Sequence, residues 1–278
     1  MTPGDVSQHP SASELGRVRA AIDEAVREIA AAFALLTRLP VGRSDAARSE
    51  ASGAIAFPLV GAVVGLIGAV PLVLVGWIQP LASLLALATI AVVTGALHLD
   101  GLADTADALL APNRARAEQA RKDPAVGPGG AVTLLLVVAI EASALASIAS
   151  GGSTWLAAGA MLVAVVAGRT IAVVATVVER ARVAPDGFGA WFAARVRPLV
   201  AGAAAILAVL IVAPVAFLIG SAALALGGAI GAGLGLLIAY VLVAWRGQLD
   251  GDGLGAVIEL TVAAVLVVTA IIVPAPVP

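Results

Sequence analysis

The pattern of apolar positions divides the chain into one amphipathic segment followed by seven long apolar segments. From Leu15 to Leu36, apolar residues recur at alternating steps of three and four, and arginines and carboxylates occupy the other side. This spacing predicts an amphipathic helix that lies either on a membrane surface or against the rest of the protein. Residues 1–12 are polar and show no period, so we expect a disordered tail there.

The seven apolar segments are each about 18 to 24 residues long, which is enough for a helix to cross about 30 Å of hydrocarbon. The predicted spans are residues 55–78, 81–98, 130–150, 155–178, 199–219, 221–244 and 256–273. The sequence therefore predicts an all-α, polytopic membrane helix bundle with about seven transmembrane helices. Spaced glycines in the first and sixth spans are expected to let helices pack closely. The amphipathic helix and a linker occupy residues 13–53 of this arrangement, and a transmembrane catalytic domain occupies residues 54–278.

Composition excludes a water-soluble globular protein and narrows the choice of metal. Hydrophobic residues make up 61% of the chain and charged residues 12%, whereas a soluble domain carries about 25% charged residues. The chain has no cysteine and two histidines. A metal site would therefore be built from carboxylates, which favour hard cations such as Mg²⁺.

Apart from Arg169, the basic residues lie before the first predicted span or in alternate connections between the spans. Arginines precede the first span and follow the second, fourth and sixth spans, while the other connections contain none. Basic loops stay in the cytoplasm. We therefore expect a multi-pass protein of the plasma (inner) membrane, with its amino terminus and its active site in the cytoplasm and its carboxyl terminus outside.

The densest group of candidate catalytic residues follows the second span. If the helix of that span continues, Asp100, Asp104 and Asp107 lie on one face of it. Like charges at this spacing repel each other, and Mg²⁺ held by carboxylates and substrate phosphate oxygens would remove the repulsion. His98 is a candidate general base, because a histidine titrates near neutral pH. The alternatives are a solvated acidic helix end and an interfacial, hydrogen-bonding histidine.

A candidate phosphate-binding segment opens the third span. Arg121, Lys122 and Asp123 precede the glycine-rich residues 127–130, where the third span begins. Unpaired backbone N–H groups at a helix start, with basic side chains just ahead, form an anion site, and Gly129 lies within it. The alternative explanation is a Gly-Pro turn that enters a membrane helix.

A second acidic element opens the last span. Asp252 and Glu259 are seven residues apart and share a helix face, and the glycines around Asp252 let a ligand approach the backbone. A flexible, glycine-rich turn is the alternative to this functional interpretation.

Three charged residues, Glu141, Arg169 and Glu259, fall inside predicted spans, where charged residues are candidates for function. Arg169 either pairs with Glu141 or reaches towards a phosphate.

Taken in order, these motifs resemble the landmarks of the cobalamin synthase family, the adenosylcobinamide-GDP ribazoletransferases. The most specific motif is HLDGLADTAD at residues 98–107. The other landmarks are TRLP at 37–40, FPLVG at 57–61, the segment 121–130, Gly168-Arg169 and GDGLGAVIEL at 251–260. The resemblance implies a Mg²⁺-dependent, phosphoryl-group transferase of cobalamin (vitamin B12) biosynthesis. It would join adenosylcobinamide-GDP to α-ribazole or its 5′-phosphate and release GMP.

The resemblance also implies roles for individual residues. Asp100, Asp104 and Asp107 are the expected catalytic, metal-binding and diphosphate-binding groups, with His98 as a further catalytic candidate. The predicted substrate-binding residues are Arg38, Arg121, Lys122, Asp123, Gly129, Arg169, Asp252 and Glu259. The chain departs from the family pattern at Asp250, where a threonine is usual, and at Pro128, which removes one N–H donor.

Two other functions fit the same sequence patterns. A Mg²⁺-dependent prenyl or lipid-alcohol diphosphate transferase would also use clustered aspartates. A membrane transporter would use Glu141, Arg169 and Glu259 as a polar path, but most acids lie at one membrane face, which favours catalysis.

The expected partners are the corrinoid nucleotide, the ribazole substrate and the lipid bilayer, without nucleic acid. A homo-oligomer, or association with other enzymes of the corrinoid pathway, stays open.

Overall fold

The protein is a bundle of helices. The computed structural model describes residues 12–41, 51–112, 117 and 125–273. This part of the chain contains no β-sheet, and one isolated bridge joins Val183 to Leu249. The predicted all-α membrane bundle is confirmed. The predicted tail lies outside the described residues, except for Ala12.

Ten α-helices occur in the described residues, and we number them in chain order. They are α1 (Ala12–Leu36), α2 (Phe57–Leu74), α3 (Gln79–Thr94), α4 (Leu97–Leu110), α5 (Pro128–Gly151), α6 (Thr154–Val178), α7 (Gly187–Arg195), α8 (Pro198–Ile219), α9 (Ala222–Arg246) and α10 (Gly251–Ile272). Short 3₁₀ turns precede α2 and α7. Helices α2, α5, α6, α8, α9 and α10 are each long and apolar enough to cross a membrane, and α3 with α4 forms a seventh, bent candidate.

The sequence placed the three aspartates on one helix face on the condition that the helix of the second span continues through them, and this condition is not met. Helix α3 ends at Thr94, α4 begins at Leu97, and the two helices are inclined by 95°. Gly95 and Ala96 form the break, with φ angles of 66° and 56°. A right-handed helix does not continue through left-handed residues. The aspartates therefore lie on a separate helix, which packs against α10 and α5.

Glycines let the spanning helices approach each other closely around the central helix α6. A Cβ atom on Gly61 of α2 would lie 2.9 Å from the Cα of Val166 in α6. A Cβ atom on Gly231 of α9 would lie 2.5 Å from the Cα of Val265 in α10. Close backbone approach at small residues is how membrane helices associate. The glycines that the sequence singled out as packing features are used in that way here.

Helix α1 leaves most of its apolar stripe uncovered. Val18, Ile22 and Val26 are each more than half exposed, whereas Ala32 and Leu36 are buried near the end of the helix. The Gly53 N–H donates to Glu28 Oε2 at 2.7 Å and holds this end of α1 against the bundle. Of the two predicted positions for the stripe, the uncovered side chains favour contact with the membrane surface.

Candidate active site

The two acidic segments meet where α4 and α10 come into backbone contact. A Cβ atom on Gly101 would lie 2.9 Å from the carbonyl oxygen and 3.1 Å from the Cα of Asp252. A Cβ atom on Gly255 would lie 3.3 Å from the Cα of Gly101. Only glycine allows this approach, since any side chain would meet backbone atoms that cannot rotate away. The contact places Asp100 and Asp104 of α4 beside Asp252 of α10.

The carboxylates that meet here repel one another. Two of these carboxylates, Asp100 and Asp104, lie on helix α4, which has 14 residues and is too short to span a membrane alone. Partial burial raises the pKa of the Asp104 carboxyl above its ordinary value, and the negative charge of Asp252 raises it further. Asp100 and Asp107 act in the same direction, while the positive charge of Arg246 lowers the pKa. Such a group of acids is suited to bind a cation.

Asp107 is directed to the start of α5. Its Oδ1 accepts from the Gly130 N–H at 2.8 Å, and its Oδ2 accepts from the Gly127 N–H at 2.7 Å. A Cβ atom on either glycine would lie 2.5 Å from an Asp107 oxygen, and one on Gly129 would lie 3.1 Å away. The predicted anion site at this helix start therefore holds a carboxylate of the protein itself. The metal-binding role of Asp107 stays a prediction.

Replacing Asp107 with Ala is expected to lower the free energy of unfolding by about 1 to 2 kcal/mol, because the backbone donors at the start of α5 lose their cap. Chemical denaturation of the purified protein in detergent measures this change. Asp186→Ala is the matched control, because Asp186 precedes α7 without a side-chain cap hydrogen bond. Equal stability of the Asp107→Ala and Asp186→Ala proteins would contradict the capping role.

Asp250, the residue that departs from the family pattern, has structural partners. Its Oδ2 accepts from Arg246 Nη2 at 2.6 Å, and its Oδ1 accepts from the Gly253 N–H at 2.9 Å. Arg246 also donates to the Thr105 hydroxyl of α4. Asp250 therefore caps α10, and Arg246 links the end of α9 to both acidic helices. The sequence indicated Arg246 only as a marker of topology.

Four ionisable side chains are buried inside the bundle: His98, Glu141, Arg169 and Glu259. Arg169 Nη2 lies 3.3 Å from His98 Nδ1, and Glu259 Oε1 lies 3.6 Å from the same nitrogen. Glu141, Arg169 and Glu259 line a cavity of about 410 Å³ whose other walls are almost entirely apolar. Arg169 thus contacts His98 inside the bundle, and a role for it in phosphate binding stays a prediction.

Arg38 lies at the break between α3 and α4, and its predicted role in substrate binding is untested. Its backbone N–H donates to the Val93 carbonyl oxygen at 2.8 Å. Its exposed side chain packs over Gly95, where a Cβ atom would lie 2.8 Å from Arg38 Cγ. Three further predicted residues, Arg121, Lys122 and Asp123, lie outside the described residues.

An aromatic cluster beside the aspartates was missed by the sequence reasoning. Phe188 stacks on Phe192 with ring centroids 5.5 Å apart, and Phe192 stacks on Phe57 at 5.2 Å. Phe188 lies along the same cavity as Asp100 and Asp252. The chain has only five Phe, four Trp and one Tyr, yet three of these residues lie between positions 188 and 192. That concentration was the available signal.

The site lies within the part of the chain that matches a known protein family. The model of the family described as cobalamin-5-phosphate synthase matches residues 28–270. The chain belongs to the cobalamin-5-phosphate synthase family. The match includes both acidic helices, the buried charges and the aromatic cluster. No solved structure matches the chain.

Curated relatives align along most of the chain. An adenosylcobinamide-GDP ribazoletransferase of Frankia casuarinae is 35% identical over 90% of this chain and 96% of its own length. Proteins of the same name from Pseudomonas aeruginosa (strain UCBPP-PA14) and Bradyrhizobium diazoefficiens are 34% and 37% identical, over 89% and 84% of this chain and 99% and 90% of their own lengths. The predicted family and the predicted transferase role in cobalamin synthesis are confirmed.

Proposed function

We propose that the chain joins adenosylcobinamide-GDP to α-ribazole, or to its 5′-phosphate, and releases GMP. The observation that carries this proposal is the backbone contact of Gly101 with Asp252 and Gly255. It brings together the two most acidic motifs of the family resemblance, at residues 98–107 and 251–260, which are far apart in the sequence. The carboxylates of Asp100 and Asp252 line one cavity, and Asp104 lies near enough for the charges of both to act on it.

The reaction breaks the phosphoanhydride bond of the diphosphate and forms a phosphate ester bond. A ribazole hydroxyl oxygen forms a bond to the phosphorus that carries the cobinamide, and the bond from that phosphorus to the GMP oxygen breaks. GMP leaves with the electron pair, and the hydroxyl proton is released. In phosphoryl transfer of this kind the protein mainly positions the two substrates and stabilises charge around the phosphorus.

The acids of the site fit a Mg²⁺ ion. No three His, Asp or Glu side chains in the described residues are arranged to hold a metal by themselves. Mg²⁺ is commonly held by one or two carboxylates together with water and substrate phosphate oxygens, so one or two of Asp100, Asp104 and Asp252 would suffice. Partial burial and then neighbouring negative charges raise the pKa of Asp104, and a divalent cation would relieve the repulsion between these charges. When bound, the ion would neutralise part of the negative charge of the diphosphate.

We also propose that this end of the bundle faces the cytoplasm from the plasma membrane. Helices α4 and α7 and the start of α10 lie at the end where the arginine-containing connections are found. The opposite connections carry no basic residue, and basic loops remain on the cytoplasmic side. If α3 crosses the membrane, seven crossings place the carboxyl terminus outside.

Purified protein supplied with adenosylcobinamide-GDP, α-ribazole and Mg²⁺ is expected to form a cobalamin and an equal amount of GMP. Removing Mg²⁺ with a chelator should slow the reaction at least roughly 100-fold, because a bound metal supplies several kcal/mol of charge stabilisation. Re-addition of Mg²⁺ should restore the rate. Product formation from a polyprenyl diphosphate, or corrinoid flux into proteoliposomes without GMP release, would contradict the proposal.

A further inference from the structure

A small cavity lies directly beside the carboxylates of Asp100 and Asp252. Its volume is about 220 Å³, below the roughly 300–1,000 Å³ that accommodates a whole drug-sized ligand. Apart from these two acids and His98, the side chains that line it are apolar, and they come from α1, α2, α4, α6, α7 and α10. The cavity is therefore suited to one apolar part of a substrate whose reacting part lies at the aspartates.

The aromatic stack ends at this cavity. Phe57 and Phe192 are 3% and 1% exposed, whereas Phe188 at the end of the stack is 38% exposed. The planes of Phe188 and Phe192 are inclined by only 19°, and those of Phe192 and Phe57 by 23°. Aromatic rings in offset stacks favour a further planar ring as neighbour. Phe188 thus offers a stacking surface to a flat ligand.

His98, which lines the same cavity, carries one hydrogen-bond donor without a partner in the described part of the chain. A guanidinium group can only donate, so the contact of Arg169 with His98 Nδ1 makes that nitrogen the acceptor. The ring hydrogen then lies on Nε2, which is buried and has no hydrogen-bond partner among the described residues. A buried donor without a partner is uncommon and costly. It is a position where an acceptor atom of a ligand is expected.

We propose that this cavity binds the benzimidazole ring of ribazole, stacked on Phe188, with its ring nitrogen accepting from His98 Nε2–H. A benzimidazole that carries ribose has one acceptor nitrogen and no donor, which matches apolar walls with a single donor. Guanine, the other flat base in the reaction, carries acceptor atoms on two edges, and His98 is the one side chain among the described residues lining this cavity that could donate to them. The inference rests on the proposed function and deepens it, because the attached ribose then reaches the aspartates.

Kinetics of a Phe188→Leu protein test the stacking contact. We expect the KM for α-ribazole to rise roughly tenfold, the effect of losing one stacking contact to a base. The kcat and the KM for adenosylcobinamide-GDP should change less than about twofold, because the contact belongs to one substrate. Phe188→Tyr should restore the KM. Phe217→Leu is the matched control, because Phe217 is 85% exposed on α8, away from the cavity.

Small ring compounds test the hydrogen bond. We expect 1-methylbenzimidazole to compete with α-ribazole, and 1-methylindole, which has the same shape without the acceptor nitrogen, to bind roughly fivefold to tenfold more weakly. That difference should disappear in His98→Leu. Competition of 1-methylbenzimidazole with adenosylcobinamide-GDP, or of guanosine with α-ribazole, would overturn the proposal by placing guanine in the cavity.

Failure of this inference and failure of the proposed function give different results. If the wild-type protein forms cobalamin and GMP but Phe188→Leu leaves the KM for α-ribazole unchanged, the ring site is wrong and the function stands. If the wild-type protein forms no GMP, the function is wrong. Equilibrium dialysis of α-ribazole alone against the wild-type and Phe188→Leu proteins then still measures the ring site, and equal binding by both would refute it.

Discussion

Replacing Asp104 with Asn is expected to slow GMP formation by roughly 100- to 1,000-fold, the cost of removing one group that stabilises charge in a transition state. The asparagine side chain keeps the size of the aspartate while losing its charge. Asp104 lies where the charges of Asp100, Asp252 and Arg246 all act on it. The measurement is the rate of GMP release by purified protein at several Mg²⁺ concentrations, and we expect the concentration for half-maximal rate to rise.

Stability separates this loss of function from a loss of fold. Burial and neighbouring acids raise the pKa of Asp104, which means that its ionised form is disfavoured in the folded protein. The Asp104→Asn protein should therefore be at least as stable as the wild type while being nearly inactive. Asp23→Asn, at an exposed position on α1, is the control and should keep full activity. Full activity of Asp104→Asn would exclude a role for its charge.

The second large effect is expected from Gly101→Ala. The new Cβ atom would lie 2.9 Å from the carbonyl oxygen and 3.1 Å from the Cα of Asp252, so α4 and α10 would have to move apart. Overpacking of this kind costs about 1 to 3 kcal/mol of stability. Displacing catalytic groups by about 1 Å can cost 100-fold in rate. Both unfolding and GMP release should show the change.

Gly202→Ala gives a control with the opposite expected sign. Nothing lies within 4 Å of a Cβ atom at Gly202 on α8. Alanine is a better helix former than glycine by about 1 kcal/mol, so this protein should be as stable as the wild type or more stable. If Gly101→Ala behaved like Gly202→Ala and remained active, close contact between α4 and α10 would not be required for the site.

The aspartate motif shows how far the sequence predicts the site. HLDGLADTAD correctly indicated a helix with three acids on it, because positions 100, 104 and 107 follow the helical period. The same pattern gave Asp107 the role of a metal ligand. In the structure both Asp107 oxygens accept from the start of α5, a contact between segments about 20 residues apart that no spacing within α4 reveals.

The aromatic cluster and Arg246 show the same limit. Phe57 and Phe192 stack although they are far apart in sequence, and Arg246 of α9 contacts Thr105 of α4. Each contact depends on how two distant helices are rotated and offset against each other. A periodic pattern reports which face of one helix is apolar, and it does not report which helix lies against that face.

The sequence by itself determined the all-α membrane bundle, the approximate bounds of its spans, the family and the acidic motifs. It could do so because a backbone in hydrocarbon must satisfy its own hydrogen bonds, so that long apolar segments become helices regardless of their neighbours. The tertiary structure alone decided the bend at Gly95 and Ala96, the meeting of Gly101 with Asp252, and the side chains that share a cavity with the aspartates. These features arise where small residues let distant backbones touch, and the energy of such contacts belongs to pairs of segments.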